Sequence, residues 1–118
     1  MCSSDLGGGK PLAIAEKAGR RVKHVHLKDC DANAAARIRS GATTYSQEVK
    51  NGMYKPLGKG DAQIAEVIRF LDSIDYSGKL VLEQDVMLGS APSQGGGPVK
   101  EVRESIDFLT SVVNSLSK

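Results

Sequence analysis

The sequence predicts an α/β chain of parallel strand and helix units that do not by themselves close a domain. Three observations predict it. Residues 21–29 (RVKHVHLKD) and 79–86 (KLVLEQDV) both read as strands that turn polar toward their C-terminal ends. Between them Ile64, Val67, Ile68, Leu71 and Ile74 recur at spacings of three and four, the stripe of a helix packed on a sheet. Strand, loop, helix, strand is a βαβ unit, normally parallel and right-handed, and two central parallel strands need neighbours that these 118 residues do not offer. The chain therefore reads as the end of a larger fold.

The opening MCSSDLGGGK is polar and Gly-rich, with neither strand nor helix periodicity. CSSDL resembles the translation of a sequencing adapter, so residues 1 to about 6 are expected to be a foreign or disordered leader, the natural chain continuing upstream of the domain at 7–118. Pro11 suits the first turn of a short helix through Ala18, with Gly19 as its stop. Residues 31–52 are expected to form an elaborated loop: DANAAARIRS supplies a helical turn or more, and TTYSQEVKNG a short helix with Gly52 as C-cap. YKPLGKGD, residues 54–61, reads as a turn ending in Asp61, the expected N-cap of the next helix. SG at 77–78 closes that helix. After the second strand and the loop MLGSAPSQGGG, a last helix from about Pro98 carries the stripe Val99, Val102, Ile106, Leu109, Val113 and Leu116. No internal repeat or second domain is visible.

A net charge of +2 implies no basic surface and gives no reason to expect nucleic acid as a partner. No apolar run is long enough to cross a bilayer, and the N-terminus lacks the apolar core of a signal peptide. Cys2 and Cys30 make no disulfide framework and suit a reducing compartment, so a cytoplasmic location is the default expectation.

Strand side chains alternate faces, so Val22, His24, His26 and Lys28 share one face, and Val81, Glu83 and Asp85 share one on the second strand. The C-terminal ends of parallel barrel strands are where catalytic and metal-binding groups gather, and His26 and Glu83 are expected to face one metal ion. Imidazole nitrogen with carboxylate oxygen suits Mn, Fe, Co or Zn and disfavours an all-oxygen calcium site. Only one of His24 and His26 need be a ligand; the other can line the pocket or bind substrate. Lys28 can bind a hydroxyl or a developing oxyanion, and Asp29 can orient a ligand or cap the next loop. The bland readings are a satisfied histidine and a solvated charge pair. The Gly58–Gly60 turn and GGGP at 95–98 lack nucleotide-binding spacing.

HVHLKDCD, YKPLGKGD and YSGKLVLEQDV, with a helix between the last two, resemble the C-terminal part of the sugar phosphate isomerase/epimerase family of xylose-isomerase-like TIM barrels, nearest to inosose dehydratases. The resemblance covers residues of about 10 to 110 and implies the C-terminal βα units of an incomplete (β/α)8 barrel, whose complete form needs roughly 250 residues. It implies one divalent metal (Mn, Co, Mg or Zn), with His26 and Glu83 as two of four ligands and the first Glu and Asp missing. It also implies Glu83 and Lys28 as catalytic groups, His24, Lys28 and Asp29 as substrate contacts, and a sugar or cyclic polyol ketone as substrate. The reaction would be isomerisation, epimerisation or dehydration through a metal-stabilised enediolate, in a possible homo-oligomer, with the fragment itself inactive.

Two alternatives compete. A metal phosphodiesterase akin to endonuclease IV, of the same superfamily, carries a similar His-Leu-Asn-Asp strand but needs more histidines than the two present. A truncated barrel piece that serves only as an interaction module is the non-catalytic alternative.

Overall fold

The structure, a computed structural model, describes residues 6–116. Residues 1–5 of the expected leader lie outside that range, and Leu6 packs against the cluster around Cys30 and Met53. Helix α1 (Pro11–Ala18) has Pro in its first turn and stops at Gly19. The strand expected over 21–29 is shorter than its pattern. Arg21 instead ends a 3-10 turn, and β1 spans Val25–Leu27.

The cause is pairing: β1 is hydrogen-bonded only where β4 (Leu80–Leu82) runs parallel beside it, with His26 opposite Val81. The Glu83 N–H donates to the Leu27 carbonyl at 3.0 Å and carries the contact one residue further, while Gln84–Val86 leave the expected strand. Among the described residues neither strand has a second parallel neighbour, so the sheet is an open part of a barrel.

The segment after β1 holds the two helices its sequence predicts and one strand pair that it does not. Asp29–Cys30 form β2, antiparallel to β3 (Tyr54–Lys55), which the sequence pattern placed in a turn. Helices α2 (Ala32–Arg39) and α3 (Tyr45–Lys50) fill the excursion between them. Each has a side-chain cap: Asp31 accepts the Ala34 N–H at 3.0 Å, and Thr44 accepts the Gln47 N–H at 3.2 Å. Arg37 clamps the two helices together through both oxygens of buried Glu48, at 3.0 and 2.7 Å.

Helix α4 (Ile64–Ser73) buries Ile64, Val67, Ile68 and Leu71, the stripe its sequence predicts. Its N-cap is Gln63 in a left-handed conformation, not the expected Asp61. The Asp61 carboxylate is drawn instead to the Ala32 N–H, at 2.9 Å, at the start of α2. Helix α5 (Pro98–Asn114) follows its pattern in part: Leu109 and, just past the helix, Leu116 pack against the core, but Val99, Ile106 and Val113 are about half exposed, while Ser105 and Val112 face inward. Ser105 turns the helix this way, because its hydroxyl accepts the N–H of Leu57 at 3.0 Å.

Val25 and Leu27 meet Ile64, Val67, Ile68, Leu71 and Val112 in the main core. Burying each of these side chains contributes about 1.5–3 kcal/mol. The helices thus cover one sheet face. The other carries His24, His26 and Lys28.

Candidate functional site

Alternation along β1 and its parallel register with β4 put His26 and Glu83 on the same uncovered face. His26 Nδ1 lies 3.3 Å from Glu83 Oε2, and His26 Nε2 lies 3.0 Å from His24 Nε2. One nitrogen of the histidine pair must carry the proton and the other must offer a lone pair. Lys28 reaches the same carboxylate from the other side, donating to Glu83 Oε1 at 2.5 Å and to Asp85 Oδ2 at 2.6 Å.

Lys28 is 8% exposed, and its ammonium stands 4.7 Å from the centre of the Tyr54 ring. Burial alone would lower its pKa. The hydrogen bonds and charges of Asp85 and Glu83 outweigh that, and the net shift is upward. Glu83 moves the opposite way: the Lys28 hydrogen bond holds it below the ordinary glutamate value against the effect of burial, with His26 adding in the same direction. Lys28 is thus ion-paired with both carboxylates.

Asp29 does not share this face. It is 1% exposed, and four backbone N–H groups end on its carboxylate: Cys30 and Ala62 on Oδ1, both at 3.0 Å, and Gly58 and Gly60 on Oδ2, at 2.9 and 3.1 Å. Of the two roles its position allowed, orienting a ligand or capping the loop, its contacts are those of the cap. It pins the PLGKGD turn beneath β1 and takes no position in the His26–Glu83 cluster.

Tyr54 and Tyr45 were not legible as site residues. The Tyr54 hydroxyl meets that of Tyr45 at 2.9 Å, so the α2–α3 excursion delivers an aromatic wall beside Lys28. A cleft of about 480 Å³ lined by Tyr45, Gln84, Asp85 and Met87 adjoins the cluster through Asp85.

The donor set bears on whether a divalent cation suits these residues. Two ligands of one cation, each bonded at roughly 2.0–2.2 Å, stand about 3 Å apart. The His26–Glu83 separation of 3.3 Å matches that spacing, and one nitrogen with one carboxylate oxygen suits a transition-metal ion. Two donors are half a shell: among the described residues no group of three or more His, Cys, Asp or Glu side chains is arranged to hold a metal. No described helix is long and apolar enough to cross a membrane.

Comparison with known proteins gives a consistent answer. The family described as "Xylose isomerase-like TIM barrel" matches residues 4–112. Inosose dehydratase of Bacillus thuringiensis is 36% identical over 80 residues, covering 68% of this chain and 27% of the relative. Inosose dehydratases of Clostridium beijerinckii and Clostridium perfringens are 30% and 31% identical over 78 residues, each match covering 66% of this chain and 26% of the relative. The chain thus spans about a quarter of the length of the curated relatives it matches. No solved structure matches.

Proposed function

This chain belongs to the xylose isomerase-like TIM-barrel family, and from that premise we propose that it forms the C-terminal βα units of a divalent-metal-dependent sugar or polyol isomerase, epimerase or dehydratase. The names of the relatives favour dehydration of a cyclic polyol ketone. The observation that carries the reading is the approach of His26 Nδ1, on β1, to Glu83 Oε2, on the residue that follows β4, at 3.3 Å. A sheet built for packing alone would not need an imidazole, a carboxylate and an ammonium together on the face turned away from the main core.

His26 and Glu83 would hold the cation, with two further ligands from outside these 118 residues, and the piece alone is inactive. A divalent cation supplies Lewis acidity, which lowers the cost of removing a proton alpha to a substrate carbonyl. The chain's own groups do the rest. Lys28, held as a cation, faces the oxyanion that develops on the substrate. His24 contacts a hydroxyl or steadies His26. Glu83 helps move the proton where the outcome is epimerisation. Expelling a β-hydroxyl from the enediolate gives dehydration; returning the proton elsewhere gives an isomer or epimer. The phosphodiesterase alternative needs more imidazoles than His24 and His26.

The test is proton exchange. The complete protein, incubated with Mn2+ and an inosose in D2O, is expected to exchange the α-proton and release water, followed by proton NMR. EDTA should abolish both. Full turnover in the presence of the chelator would overturn the metal-dependent reading.

A further inference from the structure

The Glu83 carboxylate is divided between two neighbours. Oε2 approaches His26 Nδ1 at 3.3 Å, and Oε1 accepts from Lys28 Nζ at 2.5 Å. The second partner of the same ammonium is Asp85 Oδ2, at 2.6 Å. Asp85 follows Glu83 by two residues, and the Tyr54 ring stands 4.7 Å from the ammonium. A four-carbon side chain carries substantial rotamer freedom and stays in one place only when several partners hold it.

We propose that Asp85 is a positioning residue: by anchoring Lys28 it keeps Oε1 of Glu83 engaged and leaves Oε2 turned toward His26, as the cation site requires. The proposal rests on the metal reading above. It concerns how Glu83 is presented and adds no ligand to the shell. Without Asp85, the ammonium keeps Glu83 as its sole carboxylate partner among the described residues. It then slides across both oxygens of Glu83 and contests Oε2 with an incoming cation. Groups that orient a metal ligand in this way commonly matter to affinity although they never touch the metal.

The experiment is Mn2+ titration of the complete protein near neutral pH, without substrate, read by the electron paramagnetic resonance signal of free Mn2+. Asp85→Asn is expected to weaken Mn2+ binding by about 10-fold or more. Asp85→Glu, which keeps the charge, should recover most of it. The deciding arm is a double-mutant cycle: in a Lys28→Met background, Asp85→Asn should have little or no further effect, because its route to Glu83 is gone. The Asp85 side chain is 47% exposed, so folding should survive Asp85→Asn, and a melting curve recorded alongside checks it. Wild-type affinity in Asp85→Asn overturns the proposal, as does an equal loss with and without Lys28. The His26→Ala control separates the two levels. Mn2+ affinity unchanged in His26→Ala removes the cation site and this proposal with it; affinity lost there but kept in Asp85→Asn removes this proposal alone.

Discussion

Asp29 Oδ2 accepts the backbone N–H of Gly60 at 3.1 Å, and a β-carbon on Gly60 would run into that same carboxylate and the Cys30 carbonyl. Strand and turn are so close that the residue at 60 must lack a side chain. With three further N–H groups on Asp29, this contact fixes the turn leading into α4.

Asp29→Ala would strand four N–H donors, two of them from the glycines of the turn. The expected loss of stability is about 3 kcal/mol or more, read by urea unfolding of the complete protein. Gly60→Ala should destabilise through overlap with the carboxylate. Unchanged midpoints in both variants would contradict the pinning role.

His26→Ala and Glu83→Gln alter half-exposed side chains outside the apolar core. Both are expected to fold normally and to lose about 100-fold or more in kcat/KM, measured by substrate turnover with matched melting curves. Near-normal turnover in either one would count against the shared cation.

The Lys28–Glu83 pair predicts two edges in pH. Glu83 is depressed chiefly by the Lys28 hydrogen bond, so its contribution is present above the unfolded value of about 4.3 and is lost as pH falls through the folded one. Lys28 is raised, with its hydrogen bonds to Asp85 and Glu83 outweighing burial. Its contribution is complete below about 10.4 and is lost as pH rises through the folded value. The stability difference between wild type and Lys28→Met should therefore be level across neutral pH and shrink at both extremes. A difference that grows on acidification would rule out the pairing as the source.

The 118 residues in isolation should associate. β1 and β4 pair only with each other among the described residues, and Val99, Ile106 and Val113 are about half exposed along α5. Sedimentation velocity should reveal dimers or larger species that grow with concentration. A monomer with a sharp cooperative melt would contradict this.

Much of the fold was legible because it depends on local periodicity. The stripe of α4, the Pro11 start of α1 and the shared face of His26 and Lys28 follow from spacings of three, four and two. What escaped depends on contacts distant in sequence. Asp61 has the spacing of a cap for α4, yet its carboxylate accepts the N–H of Ala32, 29 residues earlier. Ser105 rotates α5 because of a backbone N–H 48 residues away. Tyr54 reaches Lys28 only because β3 folds back on β2, and nothing near Lys28 in the sequence announces it.

The most direct test of the shared cation is anomalous scattering at the manganese edge from crystals of the complete protein grown with Mn2+. The expected peak lies within bonding distance of both His26 Nδ1 and Glu83 Oε2. A manganese peak bound elsewhere, with His26 and Glu83 still joined only to each other and to Lys28, would contradict the account.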